Sequence, residues 1–134
     1  MDTVKPLELP DGYTVDVEQV LAFPYGDLDD TWFYLGDLHW YKFVTCSLVG
    51  DATGGYHGII QPHMDRYSNW CGGGVTFAGH EHPGHQGATW DVFSLDPLHI
   101  SPSLLCGSKL YRSGHPDETC GDHGFIRVGR WVKA

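Results

Sequence analysis

Glycine and proline interrupt this sequence too often for long helices. The 134 residues include 18 glycines and 8 prolines, and both residue types weaken or break helical hydrogen bonding. Aromatic residues make up 13% of the chain, and their rings suit the pleated surface of a sheet. The sequence therefore predicts a mostly β fold, made of short antiparallel strands that are joined by tight turns.

The length of the chain suits one domain, because neither half is large enough to bury a stable core by itself. We expect a compact single domain over residues 1–134 with two layers. Residues 1–70 form an acidic, aromatic-rich β layer, and residues 71–134 form a part that is stapled by a metal on His and Cys side chains. Eight of the nine histidines lie between His57 and His123. The C-terminal half is expected to resemble a zinc knuckle.

Negative charge is concentrated at the start of the chain. Residues 1–40 contain nine acidic residues and a single cation, Lys5, whereas the rest is nearly neutral. An acidic surface repels phosphate, which disfavours direct binding to nucleic acid or to an anionic membrane. This segment could instead meet a basic protein partner or mimic a nucleic-acid backbone, and the simplest alternative is a solvated face that aids solubility.

The N-terminus lacks the basic segment and apolar core of a signal peptide, and no apolar run approaches the ~18 residues that span a bilayer. We therefore expect a soluble protein in a reducing cytoplasm. There, the four cysteines are better used as metal ligands than as two disulfides.

Several segments predict individual elements. Residues 13–23 could form a strand or a short helix. The aromatic run over residues 31–49, followed by the glycine-rich turn at 50–55 and by residues 56–60, predicts a hairpin. Its aromatic side chains are expected to form core rather than a ligand site. The run Gly72–Gly74 predicts a flexible connection.

The sharpest local signal is Cys120-Gly-Asp-His123. Two soft-to-borderline ligands lie three residues apart, and glycine permits the tight backbone of a metal knuckle. Cys106 ends the apolar segment 101–105, and the polar stretch 107–119 is expected to be a loop that returns Cys120 beside it. These three residues predict a site for Zn²⁺, since thiolate and imidazole are poor partners for hard cations.

A tetrahedral site needs a fourth ligand. The segment 79–85 offers His80, His82 and His85, while His99 and His115 are weaker candidates. The alternative is that the cysteines are buried apolar residues and that the histidines belong to a solvated loop. Cys46 is interpreted as structural, and the role of Cys71 is left open.

A site with three protein ligands and one water could hydrolyse a substrate, with Glu81 or Asp122 as the general base. The helical two-histidine hydrolase motif, the nucleobase-deaminase pattern and the nucleophile elbow are all missing from the sequence. The sequence therefore favours a protein that is not an enzyme.

Two stretches resemble a family of small actinobacteriophage and bacterial proteins of unknown function, some of them labelled ammonia-monooxygenase-like. They run from Trp90 to Cys106, through Ser-Pro-Ser-Leu-Leu, and from Cys120 to Val132, through Gly-Phe-Ile-Arg. The resemblance covers about a third of the chain. It implies a phage origin and a metal-binding module that uses Cys106, Cys120 and His123, and it implies no reaction.

The chain departs from this family in two places. Relatives have two cysteines close together, whereas thirteen residues separate Cys106 from Cys120 here. The turn Arg127-Val-Gly-Arg130 has Val where Asp is common, and Gly129 is expected to supply the positive φ of a type II turn.

Together these features predict a phage-type zinc-binding β module that acts by protein contacts, as a virion component or as a binder of a host factor in the host cytoplasm. Two alternatives stay open. One is a metal-dependent hydrolase with an open zinc site, and the other is an acidic, nucleic-acid-mimicking inhibitor of a host protein.

Overall fold

The computed structural model describes residues 4–45 and 56–134, and within them the chain is mostly β, as predicted. The elements are, in chain order, β1 (Leu7–Glu8), β2 (Thr14–Val15), α1 (Val17–Leu21), β3 (Phe33–Gly36), β4 (His39–Thr45), β5 (Tyr56–Met64), β6 (Trp70–Thr76), β7 (Asp91–Leu95), β8 (Leu98–Ser101), β9 (Leu104–Leu105), β10 (Lys109–Leu110), β11 (His115–Thr119), β12 (His123–Arg127) and β13 (Arg130–Lys133).

The largest sheet is antiparallel, with the strand order β3-β4-β5-β6. The predicted pairing across the glycine-rich turn is confirmed, because β4 pairs with β5 from His39 opposite His63 to Thr45 opposite Tyr56. The turn itself, at 50–55, and Cys46 lie outside the described residues. β6 forms one edge of this sheet.

The first predicted element contains both of the structures that the sequence left open. A two-residue strand, β2, is followed directly by the one-and-a-half-turn helix α1. Asp16 caps the helix: its carboxylate accepts from the Gln19 backbone N–H at 2.9 Å, and the Gln19 side chain accepts from the Asp16 N–H at 3.0 Å. This reciprocal capping box ends the strand and starts the helix.

A second antiparallel sheet has the strand order β13-β12-β9, and β7 pairs with β8 beside it. The hairpin between β12 and β13 closes with a two-residue loop, because Arg127 pairs with Arg130. Both loop residues have positive φ, 50° at Val128 and 74° at Gly129. The loop is therefore a type I′ turn, and the predicted type II turn is wrong, because a type I′ turn matches the twist of the flanking strands.

The two faces of the four-stranded sheet are covered by different parts of the chain. Tyr41, Ile59 and Val75 point to the inner face and pack against β8, β9, β12 and β13. Trp40, Met64 and Trp70 point to the outer face and pack against the N-terminal segment, including Val15, Phe23 and Trp32. The expectation that the aromatic cluster forms core is confirmed for Trp32, Trp40 and Tyr41, but it is wrong for Phe33, which is exposed. The sheets form one compact domain.

The glycine run at 72–74 lies inside β6, so the predicted flexible connection is wrong. A Cβ added at Gly72 would lie 2.1 Å from the Gln61 carbonyl oxygen, on the neighbouring strand. Glycine is therefore needed there because two backbones approach closely, a requirement that local sequence cannot distinguish from a need for flexibility.

No helix among the described residues has both the length and the apolar character to cross a membrane.

Candidate metal centre

Four side chains meet between the two sheets. They are His63, Cys71, Cys106 and Cys120, here called the Cys/His group, and one ligand atom from each lies within 4.8 Å of all the others. The Sγ atoms of Cys71 and Cys106 are 3.5 Å apart, and His63 Nε2 is 3.5 Å from Cys120 Sγ. His63 and Cys120 are buried, and the other two are half-buried. The group is thus a compact set of soft donors.

The register of one hairpin places the first pair. In the pairing of β5 with β6, His63 lies directly opposite Cys71. Directly opposed residues on antiparallel strands have Cβ atoms about 5 Å apart and project from the same face. This face is the inner one, because His63 and Cys71 follow the same alternation as Ile59 and Val75. The hairpin therefore presents a ready pair of donors to the second sheet.

Backbone hydrogen bonds hold the second pair in place. The Cys106 N–H donates to the Asp122 carbonyl at 2.8 Å, and the Gly121 N–H donates to the Cys106 carbonyl at 2.9 Å. The Cys120 N–H donates to the Ser108 carbonyl at 2.8 Å. Gly121, with φ of 72°, gives the tight backbone that the knuckle pattern predicted.

The size of the Cys/His group matches that of a zinc site. Zinc–sulfur bonds of about 2.3 Å in a tetrahedron place two sulfur atoms about 3.8 Å apart. The 3.5 Å between the sulfurs of Cys71 and Cys106 is within about 0.3 Å of that value. Three cysteines and one histidine are also a common donor set of structural zinc sites. The group could therefore hold a metal ion.

A second layer of contacts orients His63. Its Nδ1 lies 3.2 Å from Gln61 Oε1, which can only accept, so Nδ1 carries a proton and Nε2 is the nitrogen that is left for a metal ion. Nε2 is the nitrogen that faces Cys120. Metal-binding histidines typically donate their other ring N–H to an oxygen in this way. The Gln61 amide therefore prepares His63 as a ligand.

Asp122 and His39 form a hydrogen-bonded pair beside the group. His39 Nε2 is 2.7 Å from Asp122 Oδ2, and His39 Nδ1 is 2.6 Å from the Asp37 carbonyl oxygen. Each ring nitrogen of His39 therefore faces an oxygen atom. The ring also stacks on Trp131 at a centroid distance of 3.9 Å, which fixes its orientation.

His39, His63 and Asp122 also lie close enough to one another to hold an ion. This arrangement fits less well than the Cys/His group. Both ring nitrogens of His39 already face oxygen acceptors, so ligation by either nitrogen would give up a hydrogen bond. The pair is better described as a neighbour that orients the Asp122 carboxylate beside the group.

Proximity shifts the pKa values of Cys71, Cys106, His63 and Asp122. The hydrogen bond from Cys71 lowers the pKa of Cys106 to about 3 against the effect of burial, and the same shared bond, together with burial, raises the pKa of Cys71. Burial opposes protonation of His63, but Cys106, Cys120 and the charge of Asp122 outweigh it and raise its pKa to about 9. Burial of Asp122 is likewise outweighed, by the bond to His39, so its pKa is lowered. Positive charge is thus favoured inside the group.

The structure brings together two of the residues that the sequence proposed, Cys106 and Cys120. It places His123 on the surface, where Nε2 lies 2.9 Å from Ser103 Oγ. His123 therefore does not belong to the Cys/His group.

The histidines of the 79–85 segment also lie elsewhere. The ring of His82 packs edge-to-face against His57 at 5.0 Å, and His85 Nε2 is 3.4 Å from the Ala88 carbonyl oxygen. His80 is half-buried in the same loop, where its N–H donates to the Phe77 carbonyl. The weaker candidates have other neighbours as well, since His99 contacts Phe93 and His115 stacks on Tyr67.

Two members of the group, His63 and Cys71, were missed by sequence reasoning. A signal for His63 exists: Gln61 and His63 are polar residues two positions apart in the mostly apolar stretch 59–64 of β5, so they face the same side. A hairpin turn centred on residues 65–69 then places Cys71 across from His63.

No protein family model, no curated protein and no solved structure matches this chain. The assignment of the site therefore rests on the geometry of the chain itself, and the resemblance to phage proteins stays a prediction.

Proposed function

We propose that His63, Cys71, Cys106 and Cys120 bind one Zn²⁺ ion and that this ion has a structural role. The observation that carries the proposal is the convergence of four ligand atoms within 4.8 Å. Sulfur and imidazole donors select zinc over magnesium or calcium. Cytoplasmic conditions that keep thiols reduced would keep the three cysteines available.

Four protein donors argue for a structural ion. A catalytic zinc site keeps one position for water or substrate, whereas a structural site is closed by the protein. Asp122, one of the two general bases considered for a hydrolase, is held by His39 at 2.7 Å. These contacts support a structural ion that links the two sheets more than they support a hydrolytic centre.

On this proposal the protein is a zinc-stapled β module that acts by binding another protein. The acidic residues of the N-terminal segment support a basic partner surface, since all eight within the described part of residues 4–40 are exposed: Glu8, Asp11, Asp16, Glu18, Asp27, Asp29, Asp30 and Asp37. Complementary charge speeds association and selects among partners. Whether that partner belongs to a virion or to a host, and whether the acidic surface imitates nucleic acid, stay predictions.

Elemental analysis of the purified protein tests the metal, with an expected content of one zinc per chain. Replacement of zinc by Co²⁺ tests its environment, because a closed tetrahedral site with three thiolates gives strong visible absorption and an intense sulfur-to-cobalt charge-transfer band. Protein that is purified with zinc available, yet contains none, would refute the proposal. A cobalt spectrum with the weak bands of a five-coordinate, water-bound ion would favour the hydrolase instead.

A further inference from the structure

A cleft of about 190 Å³ opens beside the Cys/His group, between the edge strand β6 and the segment that follows β9. Cys106 and His63 form part of its wall, together with Gln61, Gly73, Asp122 and Trp131. A cavity of about 150 Å³ can hold benzene. The cleft therefore has room for one six-membered ring with a substituent.

The cleft exists because of a missing side chain. Gly73 lies directly opposite Gln61 in the pairing of β5 with β6, so both residues belong to the inner face. A Cβ added at Gly73 would meet no atom of the described residues within 4 Å. A larger residue at this position would extend into the cleft that Gly73 and Gln61 both line.

Two of the side chains that line this cleft carry buried donors with no acceptor among residues 4–45 and 56–134. They are Gln61 Nε2 and Trp131 Nε1. The other end of the Gln61 amide is already used, because its Oε1 faces His63 Nδ1. A buried donor without an acceptor costs about 1–3 kcal/mol, and two in one cleft call for an acceptor that the described part of the chain does not supply.

The charges around the cleft narrow the class of ligand. The Asp122 carboxylate lines the cleft, with its Oδ2 2.7 Å from His39 Nε2. None of the described residues that line the cleft is a lysine or an arginine, so the lining disfavours an anionic ligand. The Asp122 carboxylate can also accept a hydrogen bond from a ligand N–H, because a carboxylate has several acceptor positions.

We propose that this cleft binds a small, uncharged, flat molecule that carries an amide or lactam group. Its carbonyl oxygen accepts from Gln61 and Trp131, its N–H donates to Asp122, and its ring occupies the space that Gly73 leaves open. The inference rests on the proposed zinc site, since the ion would fix Cys106 and His63 in the cleft wall.

Uracil is a suitable probe, because it is a six-membered ring with two lactam groups. Titration of the zinc-loaded, ¹⁵N-labelled full chain with uracil should shift the Trp131 indole and Gln61 side-chain amide resonances. Benzoate, a ring of similar size with a negative charge, should shift neither. Pyrimidine, which lacks both carbonyl and N–H, should bind more than tenfold more weakly than uracil.

Two valine substitutions form a matched pair. Gly73→Val fills the cleft from the inner face and should abolish the uracil-induced shifts. Gly74→Val places the same side chain on the opposite face, where an added Cβ also meets no described atom within 4 Å, and should change the uracil affinity less than twofold. Both variants should retain one zinc per chain.

Zinc-loaded protein whose two resonances ignore uracil up to its solubility overturns the cleft proposal and leaves the metal proposal standing. An equal response of Gly73→Val and of the wild type also overturns it. Equal binding of benzoate refutes the selection against anions. Absence of zinc from the wild type overturns the metal proposal itself, whatever uracil does.

Discussion

Replacement of Cys71 by serine tests the metal centre most directly. The Cys71 sulfur lies 3.5 Å from that of Cys106 and faces His63 across the hairpin. Serine keeps nearly the same shape, but its hydroxyl is a poor ligand for zinc at neutral pH. The Cys71→Ser variant should therefore lose its zinc while the fold keeps the same packing at this position.

The expected loss of stability follows from the binding energy of the ion. Structural zinc sites bind with about 10–16 kcal/mol, and a value near 12 kcal/mol corresponds to a Kd of about 1 nM. Free zinc at about 1,000 times that Kd stabilises the native state by about 4 kcal/mol. For a domain of this length, each kcal/mol shifts the Tm by about 4 °C. The variant should melt about 16 °C lower than the wild type under these conditions.

Thermal unfolding in buffered free zinc and in excess chelator provides the assay. The chelator should lower the Tm of the wild type by the same amount and leave Cys71→Ser unchanged. His123→Ala is the matched control, because His123 is exposed and bonds to Ser103; it should keep one zinc per chain and nearly the wild-type Tm. Retention of zinc by Cys71→Ser, or its loss from His123→Ala, would refute the assignment of ligands.

Three further substitutions probe single contacts. Gln61→Leu removes the acceptor for His63 Nδ1 and should weaken zinc binding about 10–100-fold in a chelator competition. Gln61→Glu keeps an acceptor, so its zinc affinity should stay near that of the wild type. Equal zinc affinities of the two variants would contradict the role of Gln61 in orienting His63. Val128→Asn should stabilise the protein by about 1 kcal/mol in urea unfolding, because Val128 has φ of 50° and Asn-Gly suits a type I′ turn. A lower urea midpoint for the variant would argue against backbone strain at Val128. Gly124→Ala should lower the free energy of unfolding by about 2 kcal/mol, because the new Cβ would lie 2.5 Å from the Trp131 ring. Gly73→Ala adds a Cβ to open space and should be nearly neutral in the same urea measurement.

The fold class could be predicted because aromatic, glycine and proline content acts through local backbone preferences. Sheet order could not, since it depends on contacts between distant segments. The glycines at 72–74 illustrate the limit: their composition indicates a flexible linker, yet the close approach of the Gln61 carbonyl to Gly72 holds them in an edge strand. Tertiary packing overrode local propensity there.

The candidate site was partly predictable for the same reason. Cys106 and Cys120 could be paired because a single polar segment connects them and the Cys-Gly pattern is local. That segment is not the predicted loop, since β10 pairs with β11 within it. His63 and Cys71 belong to the other sheet, and only the register of β5 with β6 brings them to the group. Spacing along the chain favoured His123, which is three residues from Cys120, but the alternation of β12 leaves that side chain on the surface.

The origin of the four donors has a consequence for the order of assembly. His63 and Cys71 are eight residues apart in one hairpin, whereas 35 residues separate Cys71 from Cys106. Closing the longer loop costs about 1.3 kcal/mol more chain entropy than closing the shorter one. An ion that the hairpin binds early would already have two of its four ligands, His63 and Cys71. It would then bind Cys106 and Cys120 of the later-synthesised part of the chain and hold that part against the hairpin. Zinc supply during translation would thus govern the yield of native protein as well as its final stability.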